Sequence, residues 1–131
     1  MTVSLYAGLL GLMFLALSIR VIGGRRLARV GLGDGGDLGL QRRMRAQANF
    51  AEYVPIVLLL LLMLLAELQG VSAWILHGVG ACLVFGRIAH AVSISRDPEP
   101  SGGRVVGMAF TFTALGLSSV ACLAVALGLA G

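Results

Sequence analysis

Apolar residues fall into four long runs separated by short polar stretches. The first runs from Val3 to Ile22 and holds one charge, Arg20, close enough to its end for the guanidinium to reach the membrane boundary. The second centres on thirteen consecutive apolar residues, Val54 to Ala66; its helix is expected to begin near Leu40, with a membrane span over 47–69. The third covers 71–94 and the fourth 105–130. A helix of about 20 residues crosses a hydrocarbon core of about 30 Å, and each run reaches that length. A segment in lipid must satisfy its own backbone polar groups, so such runs fold as helices. The pattern predicts an all-α membrane protein, a four-transmembrane-helix bundle forming a single membrane domain over 1–131.

Composition agrees. Hydrophobic residues make up 58% of the chain and charged ones 12%, against about 25% charge in an ordinary soluble domain. The apolar excess is spread along the chain and leaves no room for a soluble domain. The net charge of +4 comes from arginine, because lysine is absent. A basic chain can signal nucleic acid, but these arginines flank apolar spans rather than covering a soluble face, so no nucleic-acid partner is expected. They read instead as topology. The first connection carries Arg25, Arg26, Arg29, Arg42, Arg43 and Arg45, and the third carries Arg96 and Arg104, whereas the second has no basic residue. The positive-inside rule then puts the first and third connections in the cytoplasm and both termini on the other side. No basic residue precedes the first run, so it is expected to be a retained helix rather than a cleaved leader.

Several features carry no chemistry. Cys82 and Cys122 lie inside apolar runs, where cysteine behaves as a small hydrophobe. Ala114, Ser118, Cys122, Ala126 and Ala130 recur every four residues and read as a helix–helix seam, as do Gly78, Gly80 and Gly86. Gly31 to Gly36 matches G-x-G-x-x-G, but it sits between membrane spans instead of in a strand–helix unit, so it reads as a turn. No histidine spacing suits a metal, so no metal is expected. Neither a nucleophilic serine elbow nor an activated cysteine is present.

The informative segment is Arg45-Ala-Gln-Ala-Asn-Phe-Ala-Glu-Tyr-Val-Pro55, which leads into the second span. At about 100° per residue, Arg45, Asn49 and Glu52 project within about 60° of one another. Gln41 and Arg42 extend the stripe one turn earlier, and Tyr53 lies near its edge. Glu52 falls about one turn inside the boundary, where an ionised carboxylate is costly unless paired. Two readings follow. One is an internal salt bridge between Glu52 and Arg45 or an arginine of another helix. The other is a ligand site, in which the carboxylate takes an ammonium and the arginines take carboxylates in forked geometry. Pro55 removes a backbone donor and frees the carbonyl of Ala51, a place for a bend to widen a cleft. In the third span Arg87 and His90 share one face, while His77 stands near the opposite end.

That segment resembles the signature of the MAPEG family, membrane-associated proteins of eicosanoid and glutathione metabolism. The R-x-x-x-N-x-x-E-x-x-P spacing is complete, and the Arg-Ala-Gln and Glu-Tyr pairs are similar to the cysteinyl-leukotriene synthase branch. Gly24 to Val30 resembles the basic end of that branch's first helix, and Gly86 to Ala91 the third-helix motif. Tyr6, the Gly-Asp-Gly-Gly loop and Glu-Tyr-Val-Pro resemble small bacterial members, which implies a bacterial inner membrane. The resemblance implies a homotrimer holding glutathione, as cosubstrate, between protomers near the cytoplasmic leaflet. By matching position, Arg45, Asn49, Glu52 and Tyr53 would contact it from the second helix, Arg25 or Arg26 from the first, and Arg87 and His90 from the third. Arg104 matches the arginine that activates the thiol. The resemblance implies a glutathione transferase or peroxidase acting on hydrophobic small molecules that arrive through membrane lipid. The alternative it implies is a non-catalytic lipid- or peptide-binding member. Two departures stand out. Ile94 replaces a tyrosine of the third helix, and Ala48 replaces an arginine of the prostaglandin synthase branch.

Overall fold

Four helices appear in the computed structural model, which describes residues 2–67, 71–96 and 102–129: α1 (Thr2–Ala28), α2 (Leu38–Glu67), α3 (Ala73–Ile94) and α4 (Gly103–Ala126). Each is long and apolar enough to cross a membrane. The expected span ends at 68–69 and 130, and the connection at 97–101, lie outside the described residues. The helices extend past the apolar cores of the runs at the arginine-rich end, where α1 continues to Ala28 and α2 starts at Leu38.

Local chemistry explains that end. Arg29 adopts a left-handed φ of 53°. Its N–H donates to the Arg26 carbonyl, and the Val30 N–H donates to the Arg25 carbonyl, which closes α1 in a Schellman arrangement. The turn that follows has positive φ at Gly33, Gly35 and Gly36, and Asp34 Oδ1 accepts the Gly36 N–H at 3.0 Å. Glycine populates that region without steric cost, and a short carboxylate closes the turn. The G-x-G-x-x-G spacing is therefore a helix-to-helix turn. Asp37 caps α2: its Oδ1 accepts the Leu40 N–H at 2.7 Å, and its negative charge sits at the positive end of the helix dipole.

Short connections make sequential helices antiparallel. Across α1 and α2, Phe14 stacks on Phe50 and Gln47 Nε2 donates to Ser18 Oγ at 2.8 Å. α1 and α3 run parallel, with the Tyr6 hydroxyl 3.0 Å from His77 Nδ1 at the terminal end. His77 is thus half-buried and hydrogen-bonded. Trp74, by contrast, is exposed beside it on the first turn of α3, the position of an interfacial aromatic anchor. The interior is built from Leu10, Leu17, Val57, Leu61, Leu83 and Ala114.

Close backbone approach joins α3 to α4. A Cβ on Gly107 would lie 2.6 Å from the His90 backbone nitrogen, and one on Gly86 would lie 2.8 Å from the Gly107 carbonyl oxygen. Lipid offers little hydrophobic drive between helices, so small residues that permit contact provide the adhesion. Thr111 and Ser118 are buried in the same seam, and each hydroxyl donates to the carbonyl four residues earlier. The expected small-residue seam therefore holds at Ala114 and Ser118. It ends before Ala126, which is exposed, and Ala130 lies outside the described residues. Gly80 packs against the Tyr6 ring, whereas Gly78 faces open space and takes no part.

Candidate functional site

At the arginine-rich end, α2, α3 and α4 enclose a polar cleft of about 380 Å³. Gln41, Arg42, Arg45 and Asn49 line it from α2, His90 and Ile94 from α3, and Arg104 and Met108 from α4. Gln41, Arg45 and Asn49 occur four apart on α2 and Arg42 lies beside Gln41, so one helix face delivers them all. Arg104 reaches the cleft because it sits on the first turn of α4, one residue after Gly103. The Gly107–Gly86 contact one turn further on sets how closely α4 approaches α3 beside the cleft. Three arginines and a histidine line the cleft, and among the described residues no carboxylate does. Arg42 also bridges elements, because its Nη1 donates to the Arg96 carbonyl just past α3. The volume falls at the lower end of the range usual for small-molecule sites, about 300–1,000 Å³.

Arg87 lies beneath the cleft and is 1% exposed. Its Nη1 donates to Asn49 Oδ1 at 2.7 Å and to the Asn49 carbonyl at 3.3 Å, and its Nη2 lies 3.3 Å from Met108 Sδ. The guanidinium carbon stands 5.9 Å from the centre of the Tyr53 ring, a cation–π distance. Among the described residues Nε has no hydrogen-bond partner. A buried cation held by an amide, a thioether and a ring has little compensation for its lost hydration, and a nearby anion would supply the rest. Asn49 therefore has one function visible in the protomer: it orients Arg87. Tyr53 packs edge-on against Phe112 of α4, with ring centres 5.5 Å apart.

The remaining candidates lie apart from the cleft. Arg25 folds back on the first connection, where its Nη1 donates to the Gly33 carbonyl at 2.9 Å and to the Gly31 carbonyl at 3.4 Å. Arg26 is exposed on the last turn of α1. Glu52 is one turn past Asn49 on α2 and exposed on the outer surface of the protomer. The internal salt bridge, one of the two readings of the stripe, does not form within the protomer: among the described residues no hydrogen bond or ion pair reaches Glu52. Ala48, Ala51 and Pro55 beside it are also exposed, which leaves a shallow surface where another helix can come close. Pro55 itself lines an apolar groove with Ala7, Gly11 and Ala51, so the widening expected at the proline falls on the α1–α2 side, away from the polar cleft. Met108 was not among the residues singled out from sequence; its spacing of four from Arg104 puts it on the same face of α4 and was the available signal.

Four apolar membrane helices with a cationic cleft between three of them define a class of integral membrane protein whose chemistry sits at one end of the bundle. Comparison with known proteins gives the family: the MAPEG family model matches residues 3–124, and the chain belongs to that family. It is similar to the inner membrane protein YecN of Escherichia coli K12, with 39% identity over 90 residues, 69% of this chain and 67% of that protein. The YecN sequence of Escherichia coli O6:H1 matches to the same extent. No solved structure matches the chain. The apolar helices and the inner-membrane relatives make this an integral membrane protein of the bacterial inner-membrane kind.

Proposed function

We propose that the cleft binds glutathione and that the protein is a glutathione-dependent transferase or peroxidase for lipophilic electrophiles. One observation carries this reading: three arginines converge on one cleft in which, among the described residues, no carboxylate takes part, while the exposed carboxylate of Glu52 stands one turn away on the same helix. Glutathione has two carboxylates, one ammonium and a thiol. Arg45 and Arg104 suit the carboxylates and the thiolate in directional, charge-assisted contacts. Glu52 suits the ammonium. Because Glu52 faces outward, a neighbouring protomer is needed to cover it, which fits a homotrimer with the site between subunits. Arg25 or Arg26 would then reach the ligand from the neighbour, and Arg87, oriented by Asn49, would act from below.

Physical chemistry accounts for the thiol. A free thiol has a pKa of about 8.5 and is about 3% ionised at pH 7. Lowering it by two units needs about 2.7 kcal/mol of preferential interaction with the thiolate and raises the ionised fraction to about three quarters. A permanently charged guanidinium nearby acts in that direction. The thiolate attacks the electrophile, a carbon–sulfur bond forms, and the leaving group departs with the electron pair. Glutathione reaches the arginine-rich end from water, and the electrophile arrives sideways through lipid.

A second reading has its own support. Ile94 lines the cleft where the family resemblance carries a tyrosine, and the lost hydroxyl favours a lipid- or peptide-binding role without catalysis. Purified protein assayed with glutathione and chlorodinitrobenzene separates the two. The proposal expects conjugate formation and a thiolate absorbance band, both reduced in Arg104→Gln. Folded protein that yields neither would leave the binding role.

A further inference from the structure

A second cationic cleft lies between Arg20 of α1, Gly39, Arg42 and Arg43 at the start of α2, and Ser95 just past α3. Its volume is about 140 Å³, small enough for one tetrahedral anion. The three arginines come from two helices, and among the described residues no carboxylate lines the cleft. We infer that this cleft binds the phosphate of an anionic phospholipid at the arginine-rich boundary of the bundle.

The donors are the guanidinium groups. Ser95 directs its hydroxyl back to the Ala91 carbonyl, so it contributes an oxygen rather than a proton. Arg43 Nη1 donates to the Arg20 carbonyl at 3.4 Å. That contact holds the Arg43 side chain across the α1–α2 junction and occupies one of five N–H donors. A Cβ on Gly24 would lie 3.1 Å from Arg43 Cδ, so the stem of Arg43 is packed. Forked guanidinium donors match phosphate oxygens, and a bound phosphate offsets the repulsion between Arg20 and Arg43.

A lipid fits the surroundings better than a free anion. Arg20 sits inside an apolar run, and its neighbours Ile19 and Ile22 are exposed on α1. Val92 is exposed one turn before Ser95 on the parallel helix α3. These side chains offer an apolar face for acyl chains below the headgroup. Arg42 also lines the first cleft and has other partners, so Arg20 and Arg43 bear the test.

The experiment is native mass spectrometry of the purified protein, without glutathione, from micelles containing equal phosphatidylglycerol and phosphatidylcholine. The wild type is expected to retain phosphatidylglycerol preferentially. Arg20→Gln is expected to lower that preference about fivefold, the effect of one basic residue at an anionic surface, and Arg43→Gln to act similarly. Arg43→Lys keeps the charge and checks against misfolding, and circular dichroism checks each variant. Arg29→Asn removes a charge from the same end outside the cleft and is expected to change little. Three results would overturn the inference: equal retention of both lipids, an equal loss in Arg29→Asn, or displacement of phosphatidylglycerol by millimolar inorganic phosphate.

Discussion

Removing the Asn49 side chain strands the cation beneath the cleft. Arg87 is 1% exposed, and its best contact is the 2.7 Å bond to Asn49 Oδ1. Asn49→Ala leaves the backbone carbonyl at 3.3 Å and the Tyr53 ring at 5.9 Å. A hydrogen bond to a charged group contributes about 1.5–3 kcal/mol. Taking one partner from a buried charge costs about 3–5 kcal/mol. Because these contacts and that to Met108 Sδ persist, a loss of about 2–3 kcal/mol is expected. Arg87→Met removes the charge together with its desolvation penalty and fills similar space, so it should cost less than about 1.5 kcal/mol. The double variant should match Arg87→Met, a coupling of about 2 kcal/mol. Reversible unfolding by SDS in mixed micelles, without ligand, gives all three values. Additive losses, or an Asn49→Ala loss below about 0.5 kcal/mol, would refute the assignment of Asn49 as the support of Arg87.

Other outcomes follow from the same geometry. Gly107→Ala pushes a methyl to within 2.6 Å of the His90 backbone, so α3 and α4 must separate; unfolding should show a loss of about 1–3 kcal/mol, the usual cost of overpacking. Gly8→Ala meets nothing within 4 Å and should be neutral or slightly stabilising in the same assay. Tyr6→Phe removes the hydroxyl bonded to His77 and should cost about 1 kcal/mol. Glu52→Gln should leave ligand-free monomer stability unchanged, because the carboxylate has no partner among the described residues, while weakening glutathione binding measured by calorimetry.

Much of this architecture was legible in the residues, for identifiable reasons. A run of about 20 apolar residues has one economical conformation in lipid, so the four spans follow from length alone. Asp34, Asp37 and the glycines between them carry turn and cap chemistry that acts over three residues. The α2 stripe was readable because helical spacing fixes a face. Spacing does not say which neighbour that face meets. Glu52 projects with Arg45 and Asn49 yet stands on the protomer surface, and Arg25 turns to loop carbonyls rather than to the cleft. The burial of Arg87 under Asn49 and the Tyr6–His77 contact join residues 38 and 71 positions apart, which only packing decides. Small residues mislead for the same reason: Gly80 and Gly86 meet neighbours, while Gly78 meets open space.

Glutathione titration of folded, detergent-purified protein, followed by calorimetry and by ultraviolet absorbance of the thiolate, tests the central proposal most directly. Saturable binding is expected, with a thiolate signal that appears on binding and falls in Arg45→Gln and Arg104→Gln. Absence of binding by protein whose helices are intact, or binding that both substitutions leave unchanged, would contradict a glutathione site in the arginine-lined cleft.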